Sequence, residues 1–206
     1  MSAAAVYDWG LAIDGTELVS TRRTTIRSRM RVWPAIVAFI VLSSSTASAQ
    51  VNEWQLDVGG ITLVEAWDLN EQRESLTGVV VGLERRVWRT LGLRGEGWIV
   101  RAFQDGEDAW VAGFGIGPRW RWGTGNVRPF IDLGVGLSHA TAMVPPRGTT
   151  FNFVAQAGGG LQVGLGRVRV DLGARWLHLS NNGSEGRASN PDIQALGAVV
   201  AIGWSY

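Results

Sequence analysis

A histidine and a serine stand two residues apart near the end of an apolar segment. His178 and Ser180 occur in the stretch RWLHLSNNG, residues 175–183, and the chain contains 2 histidines in all. In an extended strand, residues i and i+2 point to the same face, so both side chains share a face with Trp176. An imidazole beside a hydroxyl is the pair that serine hydrolases use as general base and nucleophile. We therefore consider His178 a candidate base and Ser180 a candidate nucleophile.

A third group is needed to hold the imidazole in one tautomer, and three downstream residues are candidates for this role. We favour Asp192, because an ionised carboxylate stabilises an imidazolium better than an amide does. Gln194 lies two residues, about 7 Å, further along the strand on the same face and is an alternative. Glu185, in the intervening loop, is the third candidate.

Catalysis by a serine nucleophile would also need donors about 3 Å from the developing oxyanion. The SNNG turn offers backbone N–H groups near Gly183, together with the side chains of Asn181 and Asn190. Asparagine is also a common turn residue, so a turn-forming role is the alternative for both asparagines.

The composition excludes several classes of function. The 206 residues carry a net charge of +1, which lacks the basic footprint of nucleic-acid binding. The chain has no cysteine, and therefore no disulfide, no thiolate zinc site and no cysteine nucleophile. Two histidines argue against a histidine-rich metal site, and no metal or cofactor is implied. The 28 glycines are about twice the average usage and favour tight turns and closely approaching strands.

The chain divides into three segments. Residues 30–49, which begin MRVWPAIVAFIVL and end in the small residues ASA, have the pattern of a secretory signal peptide cleaved after Ala49. Residues 1–29 are polar and show no periodicity, so we expect a disordered segment from an overlong gene start, with Met30 as the true start. Residues 50–206 form the mature domain.

The mature domain alternates between two kinds of face. In FNFVAQAGGGLQVGL, residues 151–165, one face is apolar and the other carries Asn, Gln and Gly; elsewhere Arg and Asp occupy the polar face, and the mature chain has no lysine. Apolar faces edged by Trp and Phe are typical of strands that face lipid. The pattern predicts an all-β fold, an eight-stranded antiparallel transmembrane β-barrel of the outer-membrane type. Its strands lie near 53–67, 76–89, 91–104, 108–123, 127–141, 151–166, 167–180 and 191–206.

The connections between these segments also alternate. Short turns occur near residue 90 and at 123–126 and 164–167, whereas DLNEQRES, QDGED, TAMVPPRGTT and NNGSEGRASN are longer and more polar. With both termini in the periplasm, the longer loops face outward, so His178 and Ser180 lie at the outer end of the seventh strand and face lipid. An eight-stranded lumen is filled by side chains, and we expect structural ion pairs there from Arg94, Glu96, Arg119, Arg121, Asp132, Arg169, Asp171 and Arg175.

The HLSN sequence at 178–181, on the penultimate strand and followed by an NP loop into the last strand, resembles the PagL-type lipid A 3-O-deacylases. The resemblance is sharpest over about 170–206. It implies an outer-membrane enzyme in which His178 and Ser180 act as base and nucleophile, with an acid at the start of the next strand. Alignment of NPDIQ places Gln194 at the usual position of that acid, whereas counting from the serine favours Asp192.

The same resemblance implies a substrate and a location. The substrate would be lipid A, or lipopolysaccharide, in the outer leaflet of the bacterial outer membrane, from which an ester-linked 3-hydroxyacyl chain is released. His139 is expected to be an interfacial residue and Arg147 a solvated loop residue, although Arg147 could meet a lipid A phosphate. Whether the barrel forms a homodimer is left open. The alternative is a non-catalytic structural or adhesion barrel.

Overall fold

Eight antiparallel strands close into one barrel in the computed structural model of the chain, which describes residues 53–67, 74–184, 186 and 191–206. Each strand pairs with the next, and the last pairs with the first. The strands are β1 (Trp54–Glu65), β2 (Ser75–Arg86), β3 (Leu91–Phe103), β4 (Ala109–Arg121), β5 (Val127–Val144), β6 (Thr149–Leu165), β7 (Val168–Ser180) and β8 (Ile193–Ser205). The predicted fold class is confirmed, while the proposed leader segments at 1–29 and 30–49 lie outside the described residues.

The barrel has two distinct ends. The turns at 87–90, 122–126 and 166–167 lie at one end, which we call the short-turn end. The other four connections follow Glu65, Phe103, Val144 and Ser180, and these strand ends lie at the opposite end of the barrel, the loop end. Within the described ranges, no helix is long and apolar enough to cross a membrane.

The outer surface is apolar because alternate residues of every strand point away from the lumen. Leu133, Val135 and Leu137 on β5 are 48%, 65% and 48% exposed. Aromatic residues lie near the strand ends, among them Trp54, Trp122 and Trp204 at the short-turn end and Phe103, Trp110 and Phe151 at the loop end. An apolar band between aromatic girdles is the surface of a barrel in a bilayer.

The lumen is filled, but its two halves differ in chemistry. Toward the loop end the inward side chains form a buried apolar cluster that includes Leu63, Leu76, Trp98, Leu177 and Ile193. Toward the short-turn end the inward side chains are charged. The sequence pattern predicted a charge-paired lumen, so the apolar half is a finding of the structure.

The charged half is a closed ring in which arginines and carboxylates alternate. It includes seven of the eight predicted lumenal residues and adds Asp57, which we did not predict; the eighth, Arg121, pairs separately with Glu84. Its links are Asp57–Arg94 (2.5 Å), Arg94–Glu96 (2.8 Å), Glu96–Arg175 (2.6 Å), Arg175–Asp132 (3.6 Å), Asp132–Arg119 (2.5 Å), Arg119–Asp171 (2.7 Å), Asp171–Arg169 (4.0 Å) and Arg169–Asp57 (3.3 Å).

Inward glycines make room for these large side chains. A β-carbon at Gly82 would overlap the guanidinium of Arg94, and one at Gly113 would overlap the ring of Trp98. The cavity left beside the ring is only about 10 Å³, at the lower limit of space for one water molecule. At the level of the ring, the described side chains therefore fill the lumen.

The prediction of a long loop at TAMVPPRGTT, residues 141–150, is wrong, because residues 141–144 and 149–150 belong to strands. β5 continues to Val144 and β6 begins at Thr149, which leaves a tight turn at 145–148. Asn152 lies under this turn with 1% exposure, and its side-chain Nδ2 donates to the carbonyl oxygens of Val144 (3.0 Å) and Thr149 (3.2 Å). These hydrogen bonds satisfy the two backbone carbonyl oxygens at the base of the turn, and they support the hairpin beyond the predicted strand ends at residues 141 and 151.

Candidate functional site

Strand β7 turns His178 and Ser180 away from the lumen. Leu177 and Leu179 are 2% and 0% exposed and belong to the apolar lumen cluster, so the alternating residues His178 and Ser180 point outward. The register agrees, because Ser180 lies opposite Phe153 of β6, whose side chain is 44% exposed. Directly opposed residues share a face. Both side chains therefore face outward at the loop end, where His178 is half-buried and Ser180 is 8% exposed.

Asp192 faces the imidazole of His178. The Nδ1 atom of His178 lies 3.5 Å from the Oδ2 atom of Asp192, and the two side chains are 27% and 22% exposed. This distance exceeds that of a normal hydrogen bond, but catalytic contacts are often long until substrate binds. An acid on Nδ1 leaves Nε2 for the hydroxyl, as in a Ser-His-Asp arrangement.

Gln194 contacts the carboxylate of Asp192, not the imidazole. It is the cross-strand partner of His178, and its Nε2 donates to the Oδ2 of Asp192 at 2.8 Å. Its Oε1 accepts a hydrogen bond from the indole Nε1 of Trp176 at 3.2 Å. Trp176 also stacks on His178, with ring centroids 6.0 Å apart and an interplanar angle of 12°. These four residues form one connected group, in which Gln194 and Trp176 support the acid and the imidazole.

The turn after Ser180 presents backbone donors beside the hydroxyl. The N–H of Asn182 donates to Ser180 Oγ at 3.0 Å, and the N–H of Gly183 donates to Asn181 Oδ1 at 2.8 Å. Asn182 and Gly183 both have positive φ, 54° and 72°. The N–H of Asn182 was not among the predicted oxyanion donors. The sequence signal for it is the Asn-Gly pair, which tolerates the left-handed conformation.

The remaining candidates are not part of this group. Glu185 and Asn190 lie outside the described residues. His139 is outward and exposed, but lies on β5 opposite Phe151. Arg147 is exposed at the 145–148 turn with φ of 68°. In the part of the chain that the structure describes, no three or more His, Asp or Glu side chains are placed to hold a metal ion.

Comparisons with solved structures agree with the fold. The crystal structure of the outer membrane enzyme PagL matches with a TM-score of 0.50 and 19% identity, covering 72% of this chain and 97% of that chain. Neisserial surface protein A matches with a TM-score of 0.55 and 12% identity, covering 77% of this chain and 98% of that chain. Comparison with curated proteins gives no significant match.

A family model extends the comparison to the sequence. The model described as lipid A 3-O-deacylase (PagL) matches residues 77–202, which run from β2 into β8 and include His178, Ser180 and Asp192. The matched segment is more than half of the chain, and the fold is the closed barrel of the outer-membrane proteins with which it aligns. The chain is an outer-membrane β-barrel and belongs to the lipid A 3-O-deacylase (PagL) family.

Proposed function

We propose that this barrel is a serine esterase that hydrolyses an ester-linked 3-hydroxyacyl chain of lipid A. In this proposal Ser180 is the nucleophile, His178 is the general base, and Asp192 orients the imidazole. The observation that carries the proposal is the outward His178 whose Nδ1 lies 3.5 Å from Asp192, with Ser180 two residues further along the same face. Membership of the lipid A 3-O-deacylase family supports the choice of substrate.

The reaction would proceed in two halves. His178 Nε2 takes the proton of Ser180 as Oγ attacks the ester carbonyl, and then returns that proton to the departing sugar hydroxyl. The acyl group is now esterified to Ser180. Water attacks this ester while His178 accepts its proton, and transfer of that proton to Ser180 Oγ releases the fatty acid and restores the enzyme. No redox step or metal ion is required by this scheme.

The 181–183 turn would supply the oxyanion donors. The Asn182 N–H donates to Ser180 Oγ at 3.0 Å and would turn from the hydroxyl to the carbonyl oxygen as charge develops there. The side-chain amide of Asn181 and the N–H of Gly183 are further candidates, and Gly183 would first have to exchange its bond to Asn181 Oδ1. Removal of one such donor in other hydrolases lowers kcat by about 10²–10³-fold.

The outward orientation suits a substrate that never leaves the membrane. The site lies at the loop end, and in outer-membrane barrels the longer loops are extracellular. Lipid A in the outer leaflet could therefore reach Ser180 by lateral diffusion, with its acyl chains against the apolar outer surface. A catalytic group inside the filled lumen would be inaccessible to such a lipid.

Mass spectrometry of lipid A from cells that express the full chain tests this proposal. We expect wild-type membranes to contain lipid A that is lighter by one 3-hydroxyacyl chain, and Ser180→Ala membranes to contain unmodified lipid A. Ser75→Ala is the control, because Ser75 is also an outward serine at the loop end of its strand, opposite the exposed Val64. Identical spectra from wild type and Ser180→Ala, with both barrels folded, would favour a structural or adhesion barrel instead.

A further inference from the structure

A groove runs along the outer surface of the barrel on the side of β2, β3 and β4. Its volume is about 560 Å³, within the range of small-molecule sites. The lining is apolar except at one end, where Arg85 lies beside Trp54. The lining residues lie on β1, β2, β3 and β4. None of these residues belongs to the β7–β8 site.

Two outward glycines form the floor of this groove. Gly95 lies between Leu83 and Ile116 of the neighbouring strands, and Gly97 lies between Val81 and Phe114. Two successive outward positions without side chains span about 7 Å along β3, and the Phe114 ring borders this depression, 3.7 Å from where a β-carbon at Gly95 would lie. A β-carbon at Gly97 would meet only the Gly113 carbonyl oxygen, at 3.9 Å, so the space above it is open.

The charged end of the groove lies at the short-turn rim of the barrel. The guanidinium carbon of Arg85 lies 5.6 Å from the centre of the Trp54 ring. The exposed and half-buried charged side chains described at this rim are mostly basic: Arg85, Arg86, Arg89, Arg128 and Arg167, with Glu53, which pairs with Arg86 at 2.9 Å. In an outer-membrane barrel the short turns are periplasmic, so this rim lies at the headgroups of the inner leaflet.

We infer that this groove binds one anionic phospholipid of the periplasmic leaflet. An acyl chain lies over Gly95 and Gly97 between the β2 and β4 side chains, and the phosphate is bound by Arg85. Charge complementarity supports this occupant, because a guanidinium matches a phosphate geometrically and electrostatically, and the surrounding rim carries the same sign. The site is independent of the proposed esterase chemistry.

Native mass spectrometry of the full chain in detergent, titrated with dioleoylphosphatidylglycerol or dioleoylphosphatidylcholine, tests this inference. We expect the wild type to bind one phosphatidylglycerol about fivefold more tightly than phosphatidylcholine. Arg85→Gln should remove this preference. Gly97→Leu should weaken both lipids about tenfold, because it displaces roughly two methylenes of the acyl chain. Gly97→Ala should act in the same direction with a smaller amplitude.

Matched controls come from the same surface. Gly60 is outward on β1, and a β-carbon there would also meet only one carbonyl oxygen, at 3.8 Å, so Gly60→Leu should bind both lipids as the wild type does. Arg167→Gln, at the same rim but outside the groove, should keep the preference for phosphatidylglycerol. Wild-type binding by Gly97→Leu, or equal losses in Gly97→Leu and Gly60→Leu, would overturn the inference.

Two further readouts separate this proposal from others. If Gly97→Leu dissociates a complex of two copies and leaves lipid binding unchanged, the groove is a contact between barrels and the inference is wrong. Lipid A deacylation should be the same in the groove variants as in the wild type, because the groove lies on different strands from His178 and Ser180. Loss of deacylation in Ser180→Ala should in turn leave phosphatidylglycerol binding intact.

Discussion

His178 is held between an acid and an aromatic ring. Asp192 lies 3.5 Å from its Nδ1, and the indole of Trp176 is stacked on the imidazole. Gln194 joins these two supports by hydrogen bonds to Trp176 and Asp192. If the site is a serine esterase, the roles are therefore unequal: the carboxylate acts on the charge of the imidazolium, and the amide fixes the carboxylate.

Asp192→Asn is expected to lower kcat for lipid A by about 10⁴-fold, as replacement of the triad acid by its amide does in serine proteases. The amide cannot stabilise the imidazolium and can favour the wrong tautomer. Deacylation of purified lipid A in micelles measures the effect. Asp108→Asn is the control, because Asp108 is also a loop-end acid and pairs with Arg101. An Asp192→Asn enzyme with wild-type kcat would exclude Asp192 from the catalytic group.

Gln194→Leu tests the supporting role of the amide. Since Gln194 acts through Asp192 in our proposal, we expect a loss of about tenfold in kcat, of the size produced by removing a supporting hydrogen bond, with KM unchanged. Gln194→Glu should have a lower kcat than Gln194→Leu, because a second carboxylate would lie beside Asp192. A KM effect alone would instead indicate a contact with substrate.

Much of the candidate site could be predicted from residue order and strand parity. Alternation placed His178, Ser180 and Gln194 on one face, and all three lie there in the structure. Which of Asp192 and Gln194 faces the imidazole depends on the path of the chain into β8. The alternation of residues along a strand does not predict that path. The supporting contact from Trp176 was also hidden, because an outward tryptophan in a barrel strand is as well explained by contact with lipid.

The β5–β6 hairpin shows how a buried polar side chain can extend an element. Asn152 points into the lumen and bonds to the backbone on both sides of the 145–148 turn. Thr149 Oγ1 adds a hydrogen bond to Asn152 Oδ1 at 3.3 Å. The hairpin therefore carries its own internal support where the neighbouring strands have ended.

Asn152→Ala is expected to lower the free energy of unfolding by about 2 kcal/mol, since it removes two hydrogen bonds to buried carbonyl oxygens worth about 1 kcal/mol each. Urea unfolding of the barrel in phospholipid vesicles measures the change. Asn126→Ala, in an exposed turn at the other end, should change stability by less than about 0.5 kcal/mol. Equal stabilities of Asn152→Ala and wild type would show that the hairpin does not need this side chain.

The number of strands and the faces of each strand could be predicted from the alternation of polar and apolar residues. This alternation is clearer in some strands than in others, for a physical reason. Alternation is clear in β6 and β7, where the polar lumen contrasts with the apolar outer surface. It is weak in β1 to β3, where Leu63, Val80 and Val100 face an apolar lumen, so both faces carry hydrophobic residues. Asp57 and Glu84 lie in these strands and were missed. The length of the connection at 145–148 was overestimated, because Pro, Gly and Arg indicate a loop but not how long it is.

At the scale of the whole molecule, the barrel is a cylinder with an ionic half and an apolar half. The alternating ring of arginines and carboxylates joins residues of β1, β3, β4, β5 and β7 across the lumen. Buried charges are tolerated when each has a partner, and the ring provides two partners for most members. The apolar half lies at the same end as the candidate site and forms a packed wall behind it.

Glu96→Gln tests the ring. Glu96 contacts both Arg94 and Arg175, so the variant leaves two buried guanidinium groups undercompensated, and we expect the free energy of unfolding to fall by about 3–5 kcal/mol. Urea titration in vesicles is again the measurement. Glu107→Gln, an exposed acid at the loop end, is the control and should be near neutral. If Glu96→Gln left the free energy of unfolding unchanged, water or a rearrangement of the ring would have replaced the lost contacts.

Covalent labelling of the nucleophile is the most direct test of the central claim, which is that Ser180 attacks the ester. The full chain is treated with a long-chain alkyl fluorophosphonate, and the adduct is located by peptide mass spectrometry. We predict one adduct per barrel, on Ser180, absent in Ser180→Ala and formed much more slowly in His178→Ala and Asp192→Asn. An unlabelled wild-type barrel that still deacylates lipid A, or an adduct at another residue, would contradict the account.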